Sequence, residues 1–125
     1  MSIPYNKVTA VIELANIVHN YHLLNAASGG VVPVIKADAY GHGLSQVAQV
    51  LSAEGAETFA VGTVEEAVAL RATGHARRVI ALLGPVEDSE YQALWDAGVI
   101  PFLHGFEQLD KLAEVQAGED QAISV

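Results

Sequence analysis

The chain reads as an α/β fold built on a parallel sheet, and three observations predict it. Short apolar, β-branched runs alternate with segments whose apolar residues recur at three- and four-residue spacing. A glycine closes each helical segment before the next strand, at Gly29, Gly55, Gly74, Gly98 and Gly118. Of the 125 residues 51% are apolar, which is enough for a packed core. Strand and helix in strict alternation require parallel neighbours joined by right-handed crossovers.

The elements follow in order. Residues 8–14 predict a first strand, and Leu14, Ile17, Val18 and Tyr21 then share one face of a helix that stops at Gly29 and Gly30. Residues 31–37 form the next strand, an apolar run of the kind shown by strands buried on both faces. Leu44, Val47, Ala48 and Leu51 repeat the helical stripe before Gly55. Residues 58–61 are a strand, and Thr63 with Glu66 makes a capping box that starts a helix running to about Thr73. A strand over 79–83 leads through Gly84 and Pro85 into a helix ending near Gly98. Residues 99–103 precede a helix carrying Phe106, Leu109, Leu112 and Ala113 and stopped by Gly118, after which 122–125 begin another strand. Periodicity leaves open whether the sheet is open or closed into a barrel. The absence of a Gly-x-Gly-x-x-Gly turn after the first strands argues against a dinucleotide fold.

Composition narrows the partners. Fifteen acidic against six basic side chains give a net charge of −9, which opposes docking onto nucleic acid or an anionic membrane and leaves a small molecule as the expected partner. The chain has no cysteine, which excludes a disulfide framework and thiolate chemistry. The first residues carry no secretory signal, and no apolar run approaches the ~18 residues of a membrane span. A cytoplasmic protein is expected.

Residues 34–43, Val-Ile-Lys-Ala-Asp-Ala-Tyr-Gly-His-Gly, carry most of the functional information. A lysine whose stem leaves a buried strand is poorly hydrated, and desolvation favours its neutral amine over the ammonium. Such an amine attacks a carbonyl and holds it as a Schiff base. A lone lysine would read as a side chain snorkelling from a strand end. The whole decapeptide, however, closely resembles the lysine signature of alanine racemases, the fold-type III enzymes that use pyridoxal 5'-phosphate.

That resemblance implies a partial (β/α)8 TIM barrel, roughly its first four β/α units plus an N-terminal strand, with 31–37 as barrel strand one. The 8–14 strand would join a C-terminal β domain outside this chain. A whole barrel takes roughly 250 residues, so residues 1–125 read as the truncated N-terminal part of a pyridoxal phosphate-binding domain. By the same resemblance Lys36 is the catalytic residue that forms the internal aldimine, and Lys36, Tyr40, Val34 and Leu83 contact the cofactor. Tyr40 would meet the phosphate, Val34 would lie against the pyridine ring on the face it shares with Lys36, and Leu83 would add an apolar contact. Ordinary packing explains Val34, Leu83 and a half-buried Tyr40 without any cofactor.

The implied activity is interconversion of L- and D-alanine by a homodimer. Racemisation needs two acid/base groups on opposite faces of the substrate Cα, and Lys36 is one. In the family the second is a tyrosine from the other subunit's C-terminal domain; it, the arginine facing the pyridine nitrogen and most phosphate contacts would lie beyond Val125. The chain alone is therefore expected to be inactive. Two alternatives are a broad-specificity amino-acid racemase and a non-catalytic pyridoxal phosphate carrier, although such carriers usually lack the Ala-Tyr-Gly-His-Gly continuation.

Other polar residues have simpler readings. Gly41 and Gly43 serve backbone geometry, Asp38 caps the loop, and His42 bonds loop carbonyls. His19 and His22 stand at metal-binding spacing on a helix but lack a third ligand nearby, so no metal is expected. His104 ends a strand and is a candidate to face the site. Glu65, Glu66, Glu87 and Asp88 open helices, where acidic residues favour the dipole, and need no catalytic explanation. Two sheet edges and an apolar inner face are expected to recruit a second copy of the isolated chain.

Overall fold

A computed structural model describes residues 8–119. In chain order the elements are α1 (Leu14–Ser28), α2 (Lys36–Tyr40), α3 (Leu44–Ala53), β1 (Thr58–Val61), α4 (Val64–Ala72), β2 (Arg78–Ala81), α5 (Asp88–Ala97), β3 (Ile100–Pro101) and α6 (Phe106–Glu119). The three strands form a parallel sheet in the order β1-β2-β3. Residues 33–35 add a fourth segment at its edge. Val34 bridges Ala60 in parallel, Ile35 N–H donates to the Ala60 carbonyl at 2.9 Å, and Ala60 N–H donates to the Pro33 carbonyl at 2.9 Å.

Strand alternation sorts the side chains onto two faces. Ile35, Phe59, Val61, Val79, Ala81 and Val99 join the buried cluster formed with Val47, Ala48 and Leu51 of α3, Val64, Ala67 and Leu70 of α4 and Leu94 of α5. Their neighbours Val34, Ala60, Ile80 and Ile100 align across the four segments in one row. By that alternation the row faces the other way from this cluster, with Val34 at the lateral edge. Helix ends at Thr63, Gly29 and Gly98 follow the sequence: Thr63 and Glu66 close a capping box on α4, and Gly29 and Gly98 end α1 and α5 in the left-handed conformation; Glu87 and Glu90 add a capping box on α5. Arg71 fastens α4 by donating to the carbonyls of Ala76, Arg77 and Ala97, each at 2.9 Å, and Lys111 ties α6 to α5 through Asp88 and the Tyr91 ring. Among the described residues no helix is long and apolar enough to cross a membrane.

Four expectations need correction. The strand expected over 8–14 does not form within the described residues: Leu14 already opens α1, and Val8 and Val11 are 90% and 75% exposed with no strand beside them among those residues. The strand expected over 31–37 shrinks to the bridge at Val34, because the backbone turns away immediately after Ile35. The strands expected over 79–83 and 99–103 are shorter, at 78–81 and 100–101; β3 contains Pro101, which has no N–H to donate to a ladder. Gly118 lies within α6 instead of ending it; one glycine costs about 1 kcal/mol in a helix, too little to stop it alone. The strand expected over 122–125 falls outside the described residues.

Candidate active site

The carboxyl ends of the four parallel segments lie side by side, and their ladder carries on beyond the strands themselves. Leu82 N–H donates to the Val61 carbonyl, Leu83 N–H to the Gly62 carbonyl and Phe102 N–H to the Ala81 carbonyl, each at 2.9 Å. Lys36, Gly62, Leu83 and His104 thus share the rim where parallel α/β folds build their sites. Gly62 is the point of closest approach. A Cβ placed there would lie 3.8 Å from Lys36 Cβ, 3.9 Å from Leu83 Cδ1 and 3.0 Å from Glu66 Oε2. Its absence leaves a cradle between the lysine and the leucine.

After Lys36 the backbone turns left-handed for four residues, with φ of 50°, 55°, 54° and 55° at Ala37, Asp38, Ala39 and Tyr40. L-residues in this conformation cost about 1–2 kcal/mol each, so such a turn persists only where its surroundings dictate it. Here they do. Ala37 N–H donates to Glu66 Oε1 at 2.7 Å, Ala39 N–H to the Ile35 carbonyl at 3.0 Å and Gly43 N–H to the Asp38 carbonyl at 2.9 Å. Asp38 Oδ1 accepts from Leu44 N–H at 2.7 Å and so caps α3, where the preceding Gly43 has no side chain to offer. His42 Nδ1 donates to the Ala39 carbonyl at 2.8 Å, which fixes its tautomer and spends the ring on the loop.

Glu66 is the residue that sequence reasoning passed over. Its Oε1 takes the Ala37 amide, while its Oε2 takes the amides of Gly62 at 2.7 Å and Thr63 at 3.2 Å. Partial burial pushes its carboxyl up, but the amide bonds from Ala37, Thr63 and Gly62, joined by the Lys36 charge, outweigh that and hold it below the ordinary value. Its position in a capping box was visible in the sequence. Nothing local links it to Ala37, which stands 29 residues earlier.

The anticipated site residues fall into two neighbouring groups. Lys36 and Leu83 flank Gly62, with Leu83 59% exposed. Val34 and Tyr40, 41% and 60% exposed, line a concavity of about 280 Å³ together with Tyr21 and Leu24 of α1 and Val47 and Leu51 of α3. The burial expected of the lysine is not found: Lys36 is exposed within residues 8–119. His104 reaches across the rim to the Leu82 carbonyl at 3.2 Å, a loop-fixing contact. His22 pairs with Glu54 at 2.8 Å and joins α1 to the end of α3. Among the described residues no group of three or more metal-ligating side chains is present.

A lysine and a glycine cradle at the carboxyl rim of a parallel sheet define an α/β protein with a strand-end, amine-bearing site. Comparison with known proteins makes the class specific. Residues 12–125 match the family model described as alanine racemase, N-terminal domain. An alanine racemase of Nitratidesulfovibrio vulgaris (strain DP4) is 42% identical over 113 residues, which is 90% of this chain and 30% of that protein. The alanine racemase of Pseudomonas syringae pv. syringae is 40% identical over 88% of this chain and 31% of its own length. Among solved structures, the alanine racemase of Bartonella henselae with covalently bound pyridoxal phosphate superposes with a TM-score of 0.80 at 27% identity, covering 90% of this chain and 32% of that one. The biosynthetic alanine racemase of Pseudomonas aeruginosa gives 0.76 at 33% identity, covering 83% and 29%. The chain belongs to the alanine racemase N-terminal domain family. It spans under a third of the length of these curated relatives.

Proposed function

We propose that the protein to which these residues belong is a pyridoxal phosphate-dependent racemase interconverting L- and D-alanine, and that this chain supplies the lysine end of its site. The observation that carries this reading is Lys36 leaving the carboxyl end of a parallel segment directly beside the Gly62 cradle. Four parallel segments laid in chain order, each followed by a helix or helical turn, are what the first part of a (β/α)8 barrel requires, and residues 1–125 are read as that part.

Pyridoxal phosphate, when bound, draws electrons from the substrate Cα and makes its proton removable. Lys36 would hold the group through Nζ and move a proton at Cα on one face of the substrate. Leu83, across Gly62, would bound the space the ring occupies and keep water from it. Val34 would add an apolar wall, and the Tyr40 hydroxyl, at the end of the left-handed turn, would orient the phosphate. A second acid/base group on the opposite face would come from another part of the protein, through a homodimer. A non-catalytic carrier has less support, because the matched relatives are alanine racemases about three times as long.

The test is to incubate the protein with pyridoxal phosphate, reduce with borohydride and map the modified lysine by mass spectrometry. Label concentrated on Lys36, and lost in Lys36→Ala, is expected. Equal label on Lys7, Lys36 and Lys111 would overturn the assignment.

A further inference from the structure

A carboxylate that bridges two strand ends is more than a helix cap. Glu66 meets the need of α4 with one oxygen, Oε2, which accepts from Thr63 and Gly62. Its other oxygen reaches out of the capping box to the first amide of the left-handed turn, Ala37 N–H at 2.7 Å. That amide adjoins the carbonyl of Lys36, so the bond fixes the peptide plane on which the lysine side chain stands. Gly62, held by the same carboxylate, leaves the space beside Lys36 Cβ free, since an added Cβ there would stand 3.8 Å from it.

We propose that Glu66 is a positioning residue for Lys36: it clamps the strained turn to the end of β1 and thereby sets the direction in which the amine leaves the sheet. This rests on the reading of Lys36 as the residue that holds pyridoxal phosphate. Without the clamp the turn loses the bond that anchors its first residue. The peptide could then relax toward ordinary backbone angles, carrying the lysine stem away from the cradle. A charged acceptor suits the task, since hydrogen bonds to a carboxylate are about twice as strong as neutral ones.

Two variants separate positioning from capping. Thr63→Ala removes the hydroxyl that accepts from Glu66 N–H but leaves the Ala37 bond intact; Glu66→Gln keeps the shape and removes the charge. The readout is borohydride-trapped pyridoxal phosphate on Lys36 relative to Lys111 in the same chain. Glu66→Gln is expected to lower that ratio about tenfold, the effect of losing one charge-assisted hydrogen bond. Thr63→Ala should lower the melting temperature and leave the ratio unchanged. Equal loss in both variants, or no loss in Glu66→Gln, would refute positioning.

A second measurement needs neither a variant nor the cofactor. Hydrogen exchange at the Ala37 amide should be slow in the wild-type protein at neutral pH and, after correction for intrinsic rates, lose protection as Glu66 is protonated in acid. An unprotected Ala37 amide at neutral pH refutes the clamp. A protected amide without selective label on Lys36 upholds the clamp and refutes the cofactor assignment instead.

Discussion

Gly84 shows how tightly single atoms set the rim of the sheet. It lies at φ 65°, and a Cβ there would stand 2.2 Å from the Phe102 carbonyl oxygen, far inside contact distance. Gly84→Ala is therefore expected to destabilise the fold by about 2–3 kcal/mol, read from the midpoint of urea unfolding. Glu66 makes a prediction of a different kind. Its folded-state pKa is held below the ordinary carboxyl value of 4.5, so its ionised form is favoured by folding. The stability it contributes is complete above that ordinary value and is lost as pH falls through the lower, folded-state one. The gap between wild type and Glu66→Gln should accordingly be constant near neutrality and close in acid. A gap that widens in acid would contradict the hydrogen-bonding account.

At the scale of elements, legibility tracked how local the signal was. β1 was readable at both ends because Thr58 to Val61 is an apolar run followed at once by a capping box, and α5 because Glu87 and Gly98 mark its limits. The left-handed turn was not readable. Ala37, Asp38, Ala39 and Tyr40 include three residues that avoid positive φ, and the bonds that impose it come from Ile35 and from Glu66, the latter a tertiary contact. Residues 8–13 are the opposite case: β-branched residues state a preference, but a strand exists only with a partner, and the one expected for them belongs to a domain outside residues 1–125. Packing decides α4, whose Leu70 is fully buried between the sheet and α5. Leu70→Ala should cost about 2–5 kcal/mol by equilibrium denaturation, against a few tenths for the exposed Ala69 changed to Ser.

For the molecule as a whole, the family was legible because ten consecutive residues, 34–43, carry the resemblance, and the same residues pointed to the candidate site at the strand end. Tyr40 and Leu83 are exposed side chains, 60% and 59% accessible, free to meet a ligand. Among the described residues the sheet has two lateral edges, one along residues 33–35 and one along β3, and Val34, at the first of them, is 41% exposed. Such surfaces recruit other chains. Sedimentation equilibrium of the isolated 125-residue chain is expected to show association that grows with concentration. Because the net charge of −9 opposes that association, added salt should strengthen it. A monomer at all concentrations and salts would contradict the prediction.

The turn that follows Lys36 has one more consequence, and it concerns chirality. Its backbone angles are those that an L-residue resists and its mirror image adopts freely. A copy made by chemical synthesis, with the stereocentre of the exposed residue 37 inverted, should therefore melt at a higher temperature than the natural chain.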